Sequence, residues 1–152
     1  MKQQRYIEAY TRIRSSIESG HFFEAITIEE SIISDRIASF LEATEALKID
    51  YIHRQSFVSL IELWRLATKN PGAIWEKCDS LIVRVDSWRK KRNQYVHGLV
   101  KFPNQKANVP TTKQFIDGAK AAAEDGALLA NEVSDWRKRQ VQIKKKYNKG
   151  LS

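Results

Sequence analysis

Apolar residues recur every three or four positions along most of this chain, which is the spacing that places side chains on one face of an α-helix. The first stripe ends at the pair Ser19-Gly20, and a second, longer run covers residues 22–47. The apolar positions of the first stripe are Tyr6, Tyr10, Ile13 and Ile17. Those on the inward face of the second run are Phe22, Ile26, Ile33, Ile37 and Leu41. The N-terminal third therefore predicts two amphipathic helices.

Two further helices are predicted in the middle of the chain. Residues 48–55 are interpreted as a connection, after which Ser56 has a side chain suited to an N-cap. The triplet Asn70-Pro71-Gly72 then interrupts the pattern. The next helix is predicted over residues 73–97, and Asp79 is a position where it could restart after a short first piece. The inward residues of these two helices are Phe57, Leu60, Ile61 and Trp64, followed by Ile74, Leu81, Val85, Trp88 and Val96.

A last long helix follows a predicted loop over residues 102–110, and Thr111 or Thr112 caps it. Its inward residues are Phe115, Ile116, Ala119, Ala123, Leu129, Val133 and Trp136. No sustained alternation of apolar and polar residues predicts a strand. We therefore expect an all-α protein, an antiparallel bundle of four to five helices with a long basic C-terminal helix. One domain is expected over residues 1–147, with a short tail at residues 148–152.

The composition is typical of a folded globular protein. The chain has 152 residues, of which 42% are hydrophobic and 29% charged. No apolar run approaches the ~18 residues that span a membrane, and the N-terminal segment lacks the apolar stretch of a secretion signal. Because Cys78 is the single cysteine, no internal disulfide can form, and the cytoplasm is the expected location.

The positive charge is concentrated at the C-terminus. The net charge is +8, with 26 Lys and Arg against 18 Asp and Glu. Seven of the cations lie in a final segment without acids: Arg137, Lys138, Arg139, Lys144, Lys145, Lys146 and Lys149. The rest of the chain is almost neutral. This pattern is typical of an arm that binds a polyanion such as RNA through residues like Lys144, Lys145 and Lys146, and equally of a solvated helix end.

Several common chemistries have no sequence support. The chain contains no GxGxxG or GxxxxGK[ST] nucleotide loop and no HExxH or other metal-ligand set, so no cofactor and no metal are expected. Glu29 and Glu30 are adjacent, so they point in different directions and do not form an acid–base pair by themselves. His21 and His53 are interpreted as surface residues, which leaves His97 as the histidine that requires an explanation.

The segment WRKKRNQYVHGLV, residues 88–100, groups an arginine, an amide and a histidine. On a helix Asn93 and His97 share a face because they are four residues apart, and Arg89 extends the same line. Arg92 lies about 140° round the helix from His97, yet its long side chain can reach the same pocket. Gly98 is suited to end the helix. The segment thus displays a cation, an amide and an imidazole on one rigid element.

RNA cleavage is a reaction that these groups suit. The 2′-hydroxyl of RNA attacks the adjacent phosphorus, so no metal or external nucleophile is required. Histidine can transfer protons at neutral pH. Arginine can stabilise the negative charge that develops on the phosphate, and asparagine can orient either group. Lys90 and Lys91 add further positive charge for RNA binding.

One histidine is fewer than full acid–base catalysis uses, since a base and an acid are both needed. A two-fold dimer with the segment at its axis would supply two histidines, which suggests a homodimer whose interface is the active site. The alternative is an ordinary structure, because a histidine in the last helical turn interacts well with the helix dipole and basic helical segments are usually solvated.

Residues Arg92-Asn93-Gln94-Tyr95-Val96-His97 match the Rx4–6H pattern of the HEPN superfamily, in its Rx4H form with a polar residue after the arginine. The chain resembles that family also in length and in the position of the motif at the end of a late helix. The specific likeness covers six or seven residues. The long early helix, with EESIISDRIASFLE, is similar more loosely.

The resemblance implies a metal-independent endoribonuclease with a site formed across a homodimer. Carried over to this chain, Arg92 would bind the scissile phosphate and His97 would transfer protons. Asn93 would position either Arg92 or His97. Glu30 on the second helix, Arg89 and Tyr95 would be supporting residues. Members of this superfamily include toxins, phage-defence effectors and RNA-processing factors. A nucleotidyltransferase-like antitoxin is then a partner to expect, and a non-catalytic RNA-binding or interaction module is the alternative.

Overall fold

The computed structural model describes residues 1–98 and 111–152, and all regular secondary structure within them is helical. The helices are α1 (Lys2–Glu18), α2 (Phe22–Thr44), α3 (Ile49–His53), α4 (Phe57–Lys69), α5 (Asp79–Gly98) and α6 (Thr112–Leu151). The prediction of an all-α chain is confirmed for these residues, with six helices in place of four or five. No helix in this described part is long and apolar enough to cross a membrane.

Three helix boundaries follow the side-chain chemistry read from the sequence. Gly20 ends α1 with a φ of +77°, a left-handed conformation that glycine adopts at little cost. The Ser56 hydroxyl accepts a hydrogen bond of 3.3 Å from the Ser59 amide at the start of α4. The Thr111 hydroxyl accepts one of 3.2 Å from the Gln114 amide, and the Gln114 side-chain oxygen accepts one of 2.9 Å from the Thr111 amide. This reciprocal pair is a capping box.

Three other boundaries differ from the prediction. The helix expected from residue 73 begins only at Asp79, the predicted restart, and the short first piece is absent because residues 73–78 bond to α6 instead of forming a helix. Residues 48–55, expected as a connection, contain α3, which Ile52 anchors with a fully buried side chain. Finally, α6 continues to Leu151, so most of the expected tail is helical. The predicted loop over residues 102–110 lies outside the described residues.

The chain divides into two compact units, and three helices contribute residues to both. Unit 1 comprises Met1–Ser31 and Ser87–Leu128. Its core is small and apolar, with Ile13, Ala25, Ile26, Trp88, Ala119, Ala122 and Ala123 almost fully buried. The Trp88 indole nitrogen donates a hydrogen bond of 2.8 Å to the Ala122 carbonyl oxygen, which satisfies its one polar atom.

Two residues predicted to face inward in unit 1 are exposed instead. Val96 retains 36% and Ile116 48% of its accessible surface. The adjacent aromatic residues take the inward positions, since the rings of Tyr95 and Phe115 pack edge to face with centroids 5.7 Å apart. Successive helical residues point about 100° apart, so burying Tyr95 and Phe115 turns their neighbours outward.

Unit 2 comprises Ile32–Asp86 and Leu129–Ser152. Its core is built around aromatic rings, because Trp136 lies 4.7 Å from Phe40 and 5.4 Å from Trp64 between ring centroids. Aliphatic side chains surround these rings and are almost fully buried: Ile33, Ile37, Leu41, Ile52, Ile61, Ile82, Val85 and Val133. The buried positions on α2, α4, α5 and α6 confirm most of the inward faces that the sequence predicted for these helices.

Candidate functional site

The C-terminal half of α5 is held firmly against α6 within unit 1. Trp88 is bonded to the Ala122 carbonyl, and about two turns later Tyr95 packs on Phe115. The Tyr95 hydroxyl also lies over Gly118, where a Cβ atom would come within 2.5 Å of the Tyr95 ring carbon Cζ. Tyr95, considered as a supporting residue, therefore has a packing role. The segment between these two anchors contains Arg92 and Asn93.

Arg92 lies at the centre of a small polar cluster. One terminal nitrogen, Nη2, forms an ion pair with the Glu30 carboxylate on α2. The other, Nη1, donates a hydrogen bond of 2.5 Å to the Asn93 side-chain oxygen. The side chains of Arg92 and Glu30 keep 16% and 27% of their accessible surface, so the cluster is partly open to solvent. Burial lowers the pKa of Arg92 from its ordinary value, although an arginine stays charged.

The cluster fixes where the arginine points. Charge-assisted contacts to Glu30 and Asn93 hold both terminal nitrogens. The remaining nitrogen, Nε, is buried and has no hydrogen-bond partner among the described residues. Each terminal nitrogen carries two N–H groups, so the guanidinium keeps donors for a further acceptor. Arg92 can thus bind an anion without losing Glu30.

His97 lies in the last turn of α5 with its side chain exposed to solvent. It is one helical turn beyond Asn93, on the same face. The described contacts bring Glu30, Arg92 and Asn93 together and do not include His97. An exposed imidazole is accessible to a substrate bound across this turn.

The basic residues named as RNA contacts fall into two classes. Lys90, Lys91, Lys145 and Lys146 are exposed, whereas Arg89, named as a supporting residue of the site, is half-buried. Lys144 differs because its ammonium group contacts the Ala43 carbonyl oxygen at the end of α2 and lies 3.3 Å from the Glu45 carboxylate. Lys144 is therefore engaged within unit 2, and its contact with RNA stays a prediction.

Two arginines of the basic C-terminal segment are also engaged within unit 2. Arg137 donates a hydrogen bond of 2.7 Å to the Ser39 hydroxyl. Arg139 forms two hydrogen bonds to the Glu76 carboxylate, at 2.9 and 3.2 Å, and this pairing holds the pKa of Glu76 below its ordinary value. Part of the positive charge read from the sequence thus stabilises the protein itself.

Glu29, for which the sequence predicted no acid–base pair with Glu30, has an unusual environment that the sequence did not predict. Its side chain is completely buried in unit 1, and neither carboxyl oxygen has a hydrogen-bond partner among the described residues. Burial, with a smaller contribution from the charge of Asp125, raises its pKa to about 9. The absent Cβ of Gly126 leaves the space for this carboxyl group. A glycine inside a long helical pattern was the available signal, since it indicates close packing.

A cleft of about 480 Å³ in unit 2 lies beside the start of α5. Its charged side chains are largely paired, Arg84 with Glu132 at 2.5 Å and Arg139 with Glu76. Burial raises the pKa of the Cys78 thiol in its wall to about 11, so this cysteine is a poor nucleophile at neutral pH. Among residues 1–98 and 111–152, no group of His, Cys, Asp and Glu is arranged to hold a metal ion.

Comparison of the chain with protein-family models, with curated proteins and with solved structures finds no match in any of the three.

Proposed function

We propose that this chain is a metal-independent endoribonuclease of the HEPN type. The observation that supports it most directly is the cluster around Arg92, which holds a cation at a partly exposed position on the same helix as an exposed His97. An arginine fixed in place before substrate arrives stabilises developing charge without reorganisation. Together with the Rx4H pattern, this cluster favours phosphodiester chemistry over a purely structural helix end.

In the proposed reaction the 2′-hydroxyl of RNA attacks the adjacent phosphorus while Arg92 binds the non-bridging phosphate oxygens. The bond from phosphorus to the 5′-oxygen of the next nucleotide breaks, leaving a 2′,3′-cyclic phosphate and a 5′-hydroxyl. His97 transfers a proton in this step, which an imidazole can do near neutral pH. Asn93 keeps the guanidinium oriented, and the exposed Lys90 and Lys91 attract the RNA backbone.

The proposal includes a homodimer, with the segments of two chains facing each other across a two-fold axis. The exposed Val96 next to His97 is the kind of apolar residue that such a contact would bury. A role as a toxin or phage-defence effector, with a nucleotidyltransferase-like antitoxin as partner, accompanies the HEPN assignment. RNA is the substrate, and the reaction uses no metal or cofactor.

A non-catalytic RNA-binding or interaction module is the second candidate. The ion pair between Arg92 and Glu30 favours it, because a compensated arginine can serve only to fasten α5 to α2. In that case the protein would bind RNA with a steep salt dependence and release no products.

Cleavage of a mixed RNA by single variants separates the two candidates. We expect Arg92→Ala and His97→Ala each to reduce cleavage at least about 100-fold, in the range known for removal of acid–base or charge-stabilising groups. The matched control is His21→Ala, which removes an exposed histidine of the same unit and should keep the wild-type rate. Circular dichroism checks that helicity is unchanged. Equal cleavage by His97→Ala and wild type would place the site elsewhere.

A further inference from the structure

The proposed ribonuclease reaction requires two proton transfers, and the Arg92, Asn93 and His97 set supplies one imidazole for them. A base removes the proton of the 2′-hydroxyl, and an acid protonates the departing 5′-oxygen. Arginine does not exchange protons at neutral pH, and an amide does not either. The second group must therefore come from another element or another chain.

Glu30 is the ionisable side chain that contacts the arginine of this site. Its carboxylate lies on Arg92 Nη2 from α2, and it retains 27% of its accessible surface, so a substrate can reach it. A glutamate carboxylate can accept a proton, which is what a base requires. A phosphate bound to the free donors of Arg92 would share one guanidinium with Glu30. The carboxylate and the bound phosphate would then lie on the same arginine, and the attacking 2′-hydroxyl belongs to the nucleotide that carries this phosphate.

The neighbouring acids do not meet these conditions. Glu29 is completely buried and its raised pKa keeps it protonated at neutral pH. Asp125 is on α6, and no described ion pair or hydrogen bond joins it to Arg92. Glu30 combines contact with Arg92, exposure and charge.

We propose that Glu30 is a catalytic residue, the general base that takes the proton of the 2′-hydroxyl, while His97 is the general acid. The bond from the 2′-oxygen to phosphorus forms and the bond from phosphorus to the 5′-oxygen breaks. The 2′-hydroxyl proton passes to the Glu30 carboxylate, and the His97 imidazolium gives a proton to the departing 5′-oxygen. Exchange with water restores both groups. This assignment rests on the proposed ribonuclease function.

One chain then carries both proton-transfer groups. The second histidine that a dimer would contribute is not required to complete the set, although a dimer remains compatible with it. The roles also become asymmetric, because the acid matters only when the leaving oxygen needs a proton. A substrate with a good leaving group therefore distinguishes the role of His97 from the role of Glu30.

The experiment compares RNA with uridine 3′-(4-nitrophenyl phosphate), whose nitrophenolate leaves without protonation. On RNA, Glu30→Gln and His97→Ala should each lose at least about 100-fold in kcat. On the nitrophenyl ester, His97→Ala should recover to within about tenfold of wild type, whereas Glu30→Gln keeps its loss because the 2′-hydroxyl must still be deprotonated. When kcat/KM is measured against pH, wild type should show a rise on the acidic side of the profile, and Glu30→Gln should not.

Two variants control for the structural role of Glu30. Glu30→Asp keeps the charge with a shorter side chain, so it should retain part of the activity lost in Glu30→Gln. Glu124→Gln removes an exposed acid of the same unit, which among the described residues pairs with Lys120 at 3.9 Å, and it should match wild type. Circular dichroism and RNA affinity confirm that each variant is folded.

The outcomes are distinguishable. If Glu30→Gln cleaves either substrate at the wild-type rate or faster while His97→Ala is inactive on RNA, Glu30 is only a counter-charge that restrains Arg92, and this inference fails alone. If His97→Ala and Glu30→Gln respond identically to the two substrates, the assigned roles are wrong. If wild type cleaves neither substrate, the proposed function and the inference fail together.

Discussion

Glu29 places a carboxyl group inside the apolar core of unit 1, next to the residue that contacts Arg92. A buried polar group without a hydrogen bond costs roughly 1–3 kcal/mol, so it weakens the fold. Space for it comes from Gly126, because a Cβ there would also lie 2.7 Å from the Trp88 ring. Glycine inside a helix costs a further ~1 kcal/mol relative to alanine.

The raised pKa of Glu29 predicts that stability falls as the pH rises. Its pKa is about 9 in the folded protein against an ordinary value of 4.5, so the folded state keeps a proton that the unfolded chain has lost between these values. The contribution is fully present below about pH 4.5 and is lost towards pH 9, at up to about 1.4 kcal/mol per pH unit.

Urea denaturation from pH 5 to 9 measures this effect on wild type and Glu29→Gln. The glutamine has nearly the same shape and no charge, so its stability should depend less on pH and exceed that of wild type at pH 8–9. Parallel curves for the two proteins would show that Glu29 does not titrate in this way.

At the level of single residues, the sequence predicted part of the candidate site. The spacing of Arg92, Asn93 and His97 placed them on one helical segment, and the structure brings Arg92 and Asn93 into contact. The difference between Glu29 and Glu30 was not predictable, since adjacent residues differ by about 100° in direction and only tertiary packing decides which one is buried. Glu30, named from the resemblance alone, lies on Arg92.

Among the elements, residues 73–78 show how tertiary contacts override a helical pattern. The Glu76 backbone amide donates a hydrogen bond of 2.9 Å to the Gln140 side-chain oxygen on α6. The Glu76 carbonyl oxygen accepts one of 3.3 Å from the Trp136 indole nitrogen. These bonds take the place of intrahelical ones. Apolar spacing around Ile74 predicted a helix here because a sequence pattern does not reveal partners 60 residues away.

Gln140 is one of the residues that hold this segment to α6, so its removal should destabilise unit 2. It keeps 1% of its accessible surface, bonds the Glu76 amide, and donates to the Trp136 carbonyl oxygen at 3.1 Å. Gln140→Ala leaves the Glu76 amide without its partner and should cost about 1–3 kcal/mol. The control is Gln142→Ala, an exposed position on the same helix. Thermal unfolding measures both, and equal melting temperatures would contradict the role given to Gln140.

For the whole molecule, the net charge of +8 includes cations with internal partners and cations that face solvent. Lys144 belongs to the first class, whereas Lys145 and Lys146 belong to the second. The composition could predict the total charge but not this division, because partners such as Ser39 and Glu76 lie far away in the sequence.

Charge reversal should separate the two classes of lysine. We expect Lys145→Glu/Lys146→Glu to weaken RNA binding similarly for all sequences and to reduce the salt dependence of the binding constant, because fewer counterions are released. Lys144→Ala should lower the melting temperature and leave the RNA affinity close to that of wild type. Fluorescence anisotropy at several salt concentrations measures the binding. Unchanged affinity in the double variant would remove these lysines from the RNA surface.

The central claim is that Arg92 and His97 form a metal-free RNA-cleaving site. The most direct measurement is cleavage of a mixed RNA in excess EDTA by wild type and His97→Ala side by side, with the product ends identified. The account predicts fragments ending in 2′,3′-cyclic phosphate from wild type and none from His97→Ala. Cleavage by His97→Ala at the wild-type rate, or cleavage by wild type only after a divalent metal is restored, would contradict it.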